Sequence, residues 1–126
     1  MSKKIIVTEA KVEKEELLLL TDMETQIASL RATGQMLVDS DQLSFIYIVE
    51  KEDEYQYITI PEVVWSSIQQ GLQYGSEIVL ANPSGKLKLD KFRVELEYLI
   101  ENITGNSNYG EEMVAKVEQL FAAPSA

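Results

Sequence analysis

Between Leu43 and Ile60 the side-chain pattern leaves few choices of fold. Leu43 to Val49 and Tyr55 to Ile60 are rich in β-branched and aromatic residues, and Lys51-Glu52-Asp53-Glu54 separates them. Folded back on each other, the two segments set Glu50 opposite Tyr55, Tyr47 opposite Ile58 and Phe45 opposite Ile60. One surface of this hairpin then carries Phe45, Tyr47, Val49, Ile58 and Ile60, and the other Ile46, Ile48, Tyr55 and Tyr57. Both surfaces are apolar. Such a hairpin lies in the middle of a sheet and is covered on both sides, or one side is kept for another chain.

The flanking sequence supplies the cover. Ile5 to Val12 and Leu17 to Leu20 read as strands joined by a charged turn, Glu13 to Glu16. Asp22 to Ala32 reads as a short helix with Met23, Ile27 and Leu30 on one face, Thr21 and Glu24 at capping-box spacing, and Gly34 as its stop. Met36 to Val38 is a short apolar segment entering the turn Asp39-Ser40-Asp41. Beyond the hairpin, Pro61 falls in a first helical turn, with Thr59 and Glu62 as its capping box. Val64, Trp65, Ile68 and Leu72 form the buried stripe of that helix, and Gly75 ends it. Glu77 to Leu80 and Lys86 to Leu89 form a second hairpin around Asn82-Pro83-Ser84-Gly85. Asp90 caps a helix that buries Phe92, Leu96, Leu99, Ile100 and Ile103. A last helix starts at Asn108 and buries Met113, Val117, Leu120 and Phe121, and 122–126 is a frayed tail.

Strands arranged as hairpins, rather than alternating with helices, predict an α+β fold. We expect a mainly antiparallel sheet with three to four helices packed against it, all within one domain spanning 1–126. A chain of 126 residues buries a core without disulfides or metal.

Composition narrows the chemistry. The chain has no histidine and no cysteine. It therefore has no imidazole to exchange protons near neutral pH, no thiolate nucleophile and no cysteine-ligated metal. No Ser lies in a Gly-x-Ser-x-Gly turn and no phosphate-binding glycine loop is present. No apolar run approaches the roughly 20 residues that span a bilayer, and the start of the chain does not read as a signal peptide. The net charge is −10, which disfavours nucleic acid and anionic membrane as partners. These features fit a cytoplasmic protein that needs no cofactor. Charge is also uneven: from Ala32 to Gly85 the only cation is Lys51, against eight carboxylates, and Lys86, Lys88, Lys91 and Arg93 then form a basic island. Most of that acidity reads as a solvated surface, and the sharper alternative is a docking face for a basic partner.

Two constellations bear on chemistry. Asp39 and Asp41 can offer oxygens to a hard divalent cation, although Asp and Ser also stabilise turns through their own backbone. Gly105 to Glu112 opens the last helix, where Glu111 and Glu112 oppose an anionic ligand and add two more carboxylates. Glu97 and Glu101, one turn apart on a helix, read as a solvated face. The six tyrosines lack the interleaved Lys and Arg of a base-stacking surface, so core filling or protein contact suits them better.

Gly34 to Glu50, GQMLVDSDQLSFIYIVE, and Leu96 to Met113, LEYLIENITGNSNYGEEM, together resemble the uncharacterised YjbL-like family of small proteins from low-GC Gram-positive bacteria. The likeness runs from about Gly34 to Phe121, is carried by VDSD and GNSNYG, and leaves Met1 to Arg31 outside. It implies a cytoplasmic bacterial protein and supplies no catalytic residues.

Two functions remain. The leading one is a non-enzymatic protein-interaction module that binds a partner or itself, as a homodimer, through Ile48, Tyr55 and Tyr57. The alternative is a divalent-metal-dependent hydrolase with a carboxylate-only site drawn from Asp39, Asp41, Glu111 and Glu112. The first requires an uncovered apolar sheet face, and the second requires those carboxylates to converge.

Overall fold

A computed structural model describes residues 3–13, 15–22 and 26–121. The hairpin of the sequence pattern forms its centre. Strands β5 (Ser44–Lys51) and β6 (Glu54–Pro61) pair with Glu50 opposite Tyr55, Tyr47 opposite Ile58 and Phe45 opposite Ile60, as expected. The connection is tighter than four residues, because Lys51 still pairs with Glu54. Glu52 and Asp53 make the turn in the left-handed region, with φ of 50° and 67°. Two successive positive φ values mark the turn type whose twist matches that of the strands it joins.

The strands build two sheets of four, and both are mixed. The first has the order β1-β6-β5-β4, with β1 (Lys3–Ile6) parallel to β6 and β4 (Arg31–Asp39) antiparallel to β5. The second has the order β2-β3-β7-β8, from Glu9–Val12, Glu16–Leu20, Glu77–Asn82 and Gly85–Lys88. Here β3 and β7 run parallel, while the hairpins β2–β3 and β7–β8 are antiparallel. The fold is α+β and mainly antiparallel, as expected, but its sheets are two.

The division begins inside what reads as one strand, Ile5 to Val12. The Val7 amide donates to the Thr59 carbonyl at 3.0 Å in the first sheet, and the next amide, Thr8, donates to the Leu20 carbonyl at 2.9 Å in the second. The chain changes sheets between two adjacent residues.

The expected helix over Asp22 to Ala32 is replaced by a short 3-10 turn at Ile27–Ser29 and the start of β4. Met23 and Glu24, on which that helix and its cap relied, lie outside the described residues. The apolar segment at Met36 to Val38 is the inner part of a nine-residue strand. Its alternation is hidden by an irregularity between Ala32 and Gln35, where Gly34 takes φ 77°. There the Thr33 hydroxyl donates to the Ile48 carbonyl at 2.7 Å and accepts from the Gln35 amide. A Cβ on Gly34 would sit 3.2 Å from Lys91 Cδ, so both its φ and its surroundings favour glycine.

Helices α1 (Trp65–Tyr74), α2 (Phe92–Ile103) and α3 (Glu111–Leu120) follow the expected stripes, with different starts. Pro61 ends β6, and Glu62–Val64 forms a 3-10 turn before α1 without the Thr59 cap. Lys91, not Asp90, precedes α2, in a left-handed conformation. A 3-10 turn at Ser107–Tyr109, in which Asn106 caps the Asn108 amide, delays α3 to Glu111. Gly75 ends α1 at φ 73°, as read. Residues 122–126, read as a frayed tail, lie outside the described residues.

One apolar cluster joins the sheets and helices. Trp65 is fully buried, packs with its ring centroid 4.7 Å from that of Phe45 at a 37° tilt and donates its indole N–H to the Ile60 carbonyl at 3.0 Å. Phe121 packs on both rings. Tyr47 lies against Phe92 of α2. At Gly71, α1 approaches β3 so closely that a Cβ would fall 3.1 Å from Leu17 Cβ.

Candidate functional site

The inward apolar residues Phe45, Tyr47, Val49, Ile58 and Ile60 of the central hairpin are fully buried, and the helices gather on their side. The other face of the β1-β6-β5-β4 sheet has a different fate. Ile46, Ile48 and Tyr57 are half-buried, Tyr55 is 53% exposed, and none of them packs against the core cluster. The register adds two residues that the sequence reading missed. Ile6 on β1 is paired with Thr59, Leu37 on β4 is opposite Ile46, and both are nearly half exposed. They escaped notice because neither the parallel partner of the hairpin nor the full length of β4 is readable locally. Thr59 interrupts the strip between Ile6 and Ile46, and Lys4, paired with Tyr57, Gln35, opposite Ile48, and Glu50, opposite Tyr55, are polar neighbours.

The described residues of the Asp22 to Ala32 segment, read as a short helix, do not cover it. The Ile27–Ser29 turn packs against β7 and β8 of the other sheet, and its Ile27 amide donates to the Ser84 hydroxyl. Among the described residues, no helix lies against this outer face.

The other sheet manages its outward face differently. Val79 is registered opposite Lys88, Ala81 opposite Lys86 and Leu18 opposite Lys11. Val79 and Ala81 are buried, while Lys86 and Lys88 reach ion partners in Glu16 and Glu77, each at 3.2 Å. Long lysine stems cover apolar surface and keep their charge in water, which deters sheet-to-sheet association. On the Ile46–Ile48–Tyr57 face, among the described residues, Lys4 stands at one edge and the Arg31–Glu50 pair at one end, while the middle of the strip carries no lysine or arginine. The basic island of the sequence is thereby dispersed, for Lys91 lies over Gly34 and Arg93 donates to the Leu72 carbonyl at 2.8 Å.

The ends of the open face are acidic. Asp39 and Asp41 stand at the β4–β5 turn, and Glu52, Asp53 and Glu54 at the β5–β6 turn. Glu50 is held by Arg31, its cross-strand neighbour.

The four-carboxylate site of the alternative reading does not assemble. The Asp39 carboxylate accepts from the Gln42 amide at 3.2 Å, as a turn-forming residue does. Asp41, Glu111 and Glu112 are exposed, the last two in the first turn of α3. Among the described residues, no three acidic side chains gather into a group able to hold a metal ion. Among the described residues, the convergence required of Asp39, Asp41, Glu111 and Glu112 is therefore absent. Glu97 and Glu101 line a groove of about 600 Å³ between α1 and α2, with Gln69, Gln73 and Arg93. Among the described residues, no helix is long and apolar enough to cross a membrane.

Comparison with known proteins agrees with the two resembling segments and extends them toward the start of the chain. A protein-family model, UPF0738, described as a family of unknown function, matches residues 5–121. A UPF0738 protein of a Geobacillus species is 40% identical over 122 residues, 96% of this chain and 98% of its own. The UPF0738 protein YjbL of Bacillus subtilis is 39% identical over 121 residues, 96% of this chain and 99% of its own. A UPF0738 protein of Bacillus cytotoxicus is 38% identical with equal reach. No solved structure matches the chain.

Proposed function

Because the chain belongs to the UPF0738 family, whose function is unknown, we propose its role from its own geometry: a non-enzymatic protein-interaction module that docks another polypeptide on the outer face of the β1-β6-β5-β4 sheet. One observation carries this reading. A contiguous apolar strip of Leu37, Ile46, Ile48 and Tyr57, with Ile6 beyond Thr59, stays out of the core cluster and is open to solvent at Leu37 and Ile6, in a molecule whose other sheet lays lysines along its outward face. Contiguous exposed apolar surface on a soluble domain marks a contact site, and tyrosines are favoured anchors there. In this role Ile48 and Tyr57 form the centre of the contact and Tyr55 its margin. A cytoplasmic setting goes with the proposal, supported by a chain without cysteine.

A photo-crosslinking amino acid placed at Tyr57 or Tyr55 in the native host tests it, with Tyr98 on α2, 63% exposed, as the control position. Discrete crosslinked species from Tyr57 and Tyr55 that vanish with Ile48→Lys, and that Tyr98 does not give, are expected. Equal products from all three positions, or none from Tyr57, overturn the proposal.

A further inference from the structure

We infer that the occupant of this face is a basic partner: an amphipathic segment whose apolar side lies on Ile46, Ile48 and Tyr57 and whose Lys or Arg residues meet the acidic turns at its ends. The inference rests on the docking reading above and adds the chemistry of the partner.

Charge is the first argument. Around the strip stand Asp39, Asp41, Glu50, Glu52, Asp53 and Glu54, against Lys4, Arg31 and Lys51. Arg31 is already bound to Glu50, so among the side chains described there five carboxylates stand against two cations. Asp41, Glu52, Asp53 and Glu54 are exposed. The two turns lie at opposite ends of the eight-residue strand β5, about 25 Å apart. A segment that spans the strip therefore finds negative potential at both ends.

Geometry is the second argument, and it disfavours a second copy. Stacked sheets related by a two-fold axis along or across the strands set each acidic turn over an acidic turn of the other molecule. Like charges placed face to face oppose association. Size points the same way. Three strands about 25 Å long and the four-residue β1, each about 4.8 Å from the next, offer roughly 400 Å² per molecule, short of the ~800 Å² per partner in a standard complex. A face this small suits a transient partner drawn in by opposite charge, and not a permanent dimer.

The test pans a random-peptide phage library on the full chain, on Ile48→Lys, and on a rim variant carrying Asp41→Lys, Glu52→Lys and Glu54→Lys. Circular dichroism checks the fold of each, and Tyr57→Ser serves as a second face variant. We expect the wild-type chain to select peptides enriched at least twofold in Lys and Arg around an apolar centre. Those peptides should lose binding to both face variants and bind the rim variant about tenfold more weakly. Peptides that need Ile48 but show no Lys or Arg excess, or that bind the rim variant equally, overturn the charge inference and leave the docking face standing. Failure to select any Ile48-dependent peptide overturns both. Light scattering that reveals an Ile48-dependent dimer at micromolar concentration makes the second copy the occupant and overturns the basic partner.

Discussion

Tyr47 is the joint between the central hairpin, the irregular start of β4 and the approach to α2, and removing its hydroxyl should have a cost that can be worked out. The side chain is fully buried, and its ring stacks 6.2 Å from that of Phe92. Its hydroxyl donates to the Asp90 carbonyl at 2.7 Å and accepts from the Gly34 amide at 3.1 Å. Tyr47→Phe keeps the ring and deletes both bonds. Each bond contributes about 0.5–1.5 kcal/mol, and the exposed Asp90 can turn its carbonyl to water, so we expect a loss of about 1–2 kcal/mol. Burial pushes the Tyr47 phenol up to about 12; the Gly34 amide works against this, and the charges of Asp90 and Glu95 add to it. The folded-state pKa thus lies above the unfolded value of about 10. The neutral phenol's contribution is complete below pH 10 and is lost as pH rises from 10 through 12, by about 2–3 kcal/mol. The Tyr47→Phe variant, with no phenol to ionise, escapes this loss. Urea unfolding followed by the emission of Trp65, the only tryptophan, measures both effects at pH 8 and across pH 10 to 12. Equal stability of the two proteins at pH 8, or an equally steep alkaline decline in Tyr47→Phe, would refute the argument.

Three further substitutions probe the packing. Trp65→Ala removes a fully buried ring and orphans the Ile60 carbonyl, and should cost about 3–5 kcal/mol; a thermal midpoint lowered by less than about 5 °C would contradict it. Gly71→Ala gains up to about 1 kcal/mol of helix propensity but forces a Cβ to 3.1 Å from Leu17 Cβ, so a net loss of about 1 kcal/mol is expected in urea, and a more stable variant would show that α1 can lift off β3. Glu52→Asn with Asp53→Gly relaxes two left-handed residues and should add about 1 kcal/mol; an unchanged unfolding midpoint would mean the turn carries no strain.

What the sequence disclosed, and what it hid, follows from the range of the signals. The register of β5 on β6 was readable because alternation on both strands and a short turn leave no freedom to slip. The stripes of Trp65, Leu96 and Val117 identified three helices because 3.6-residue periodicity is local. The strand at Arg31–Asp39 was obscured, since Thr33 and Gly34 break its alternation while Ile27 and Leu30 imitate a helical face. The division into two sheets was unreadable, because the passage at Val7 and Thr8 is decided by partners near residues 20 and 59. At the candidate site, Ile48, Tyr55 and Tyr57 were nameable from the two-faced hairpin, but Ile6 and Leu37 join them only through pairing with other strands. The pairs Asp39 with Asp41 and Glu111 with Glu112 shared a residue type but, among the described residues, no common site.

The two parallel pairings also set a timetable for the growing chain. Glu16–Leu20 completes its ladder only against Glu77–Ala81, some sixty positions later, and Lys3–Ile6 waits for Gln56–Thr59. At about 5–20 residues per second, the ribosome needs roughly 3–12 s to deliver the later strand. Throughout that interval Leu17-Leu18-Leu19-Leu20 is an apolar strand with an open edge, available to any other nascent chain. The part of the molecule made first thus waits for strands made much later, and its exposure to aggregation depends on the speed of translation between codons 20 and 81 as well as on the stability of the finished fold.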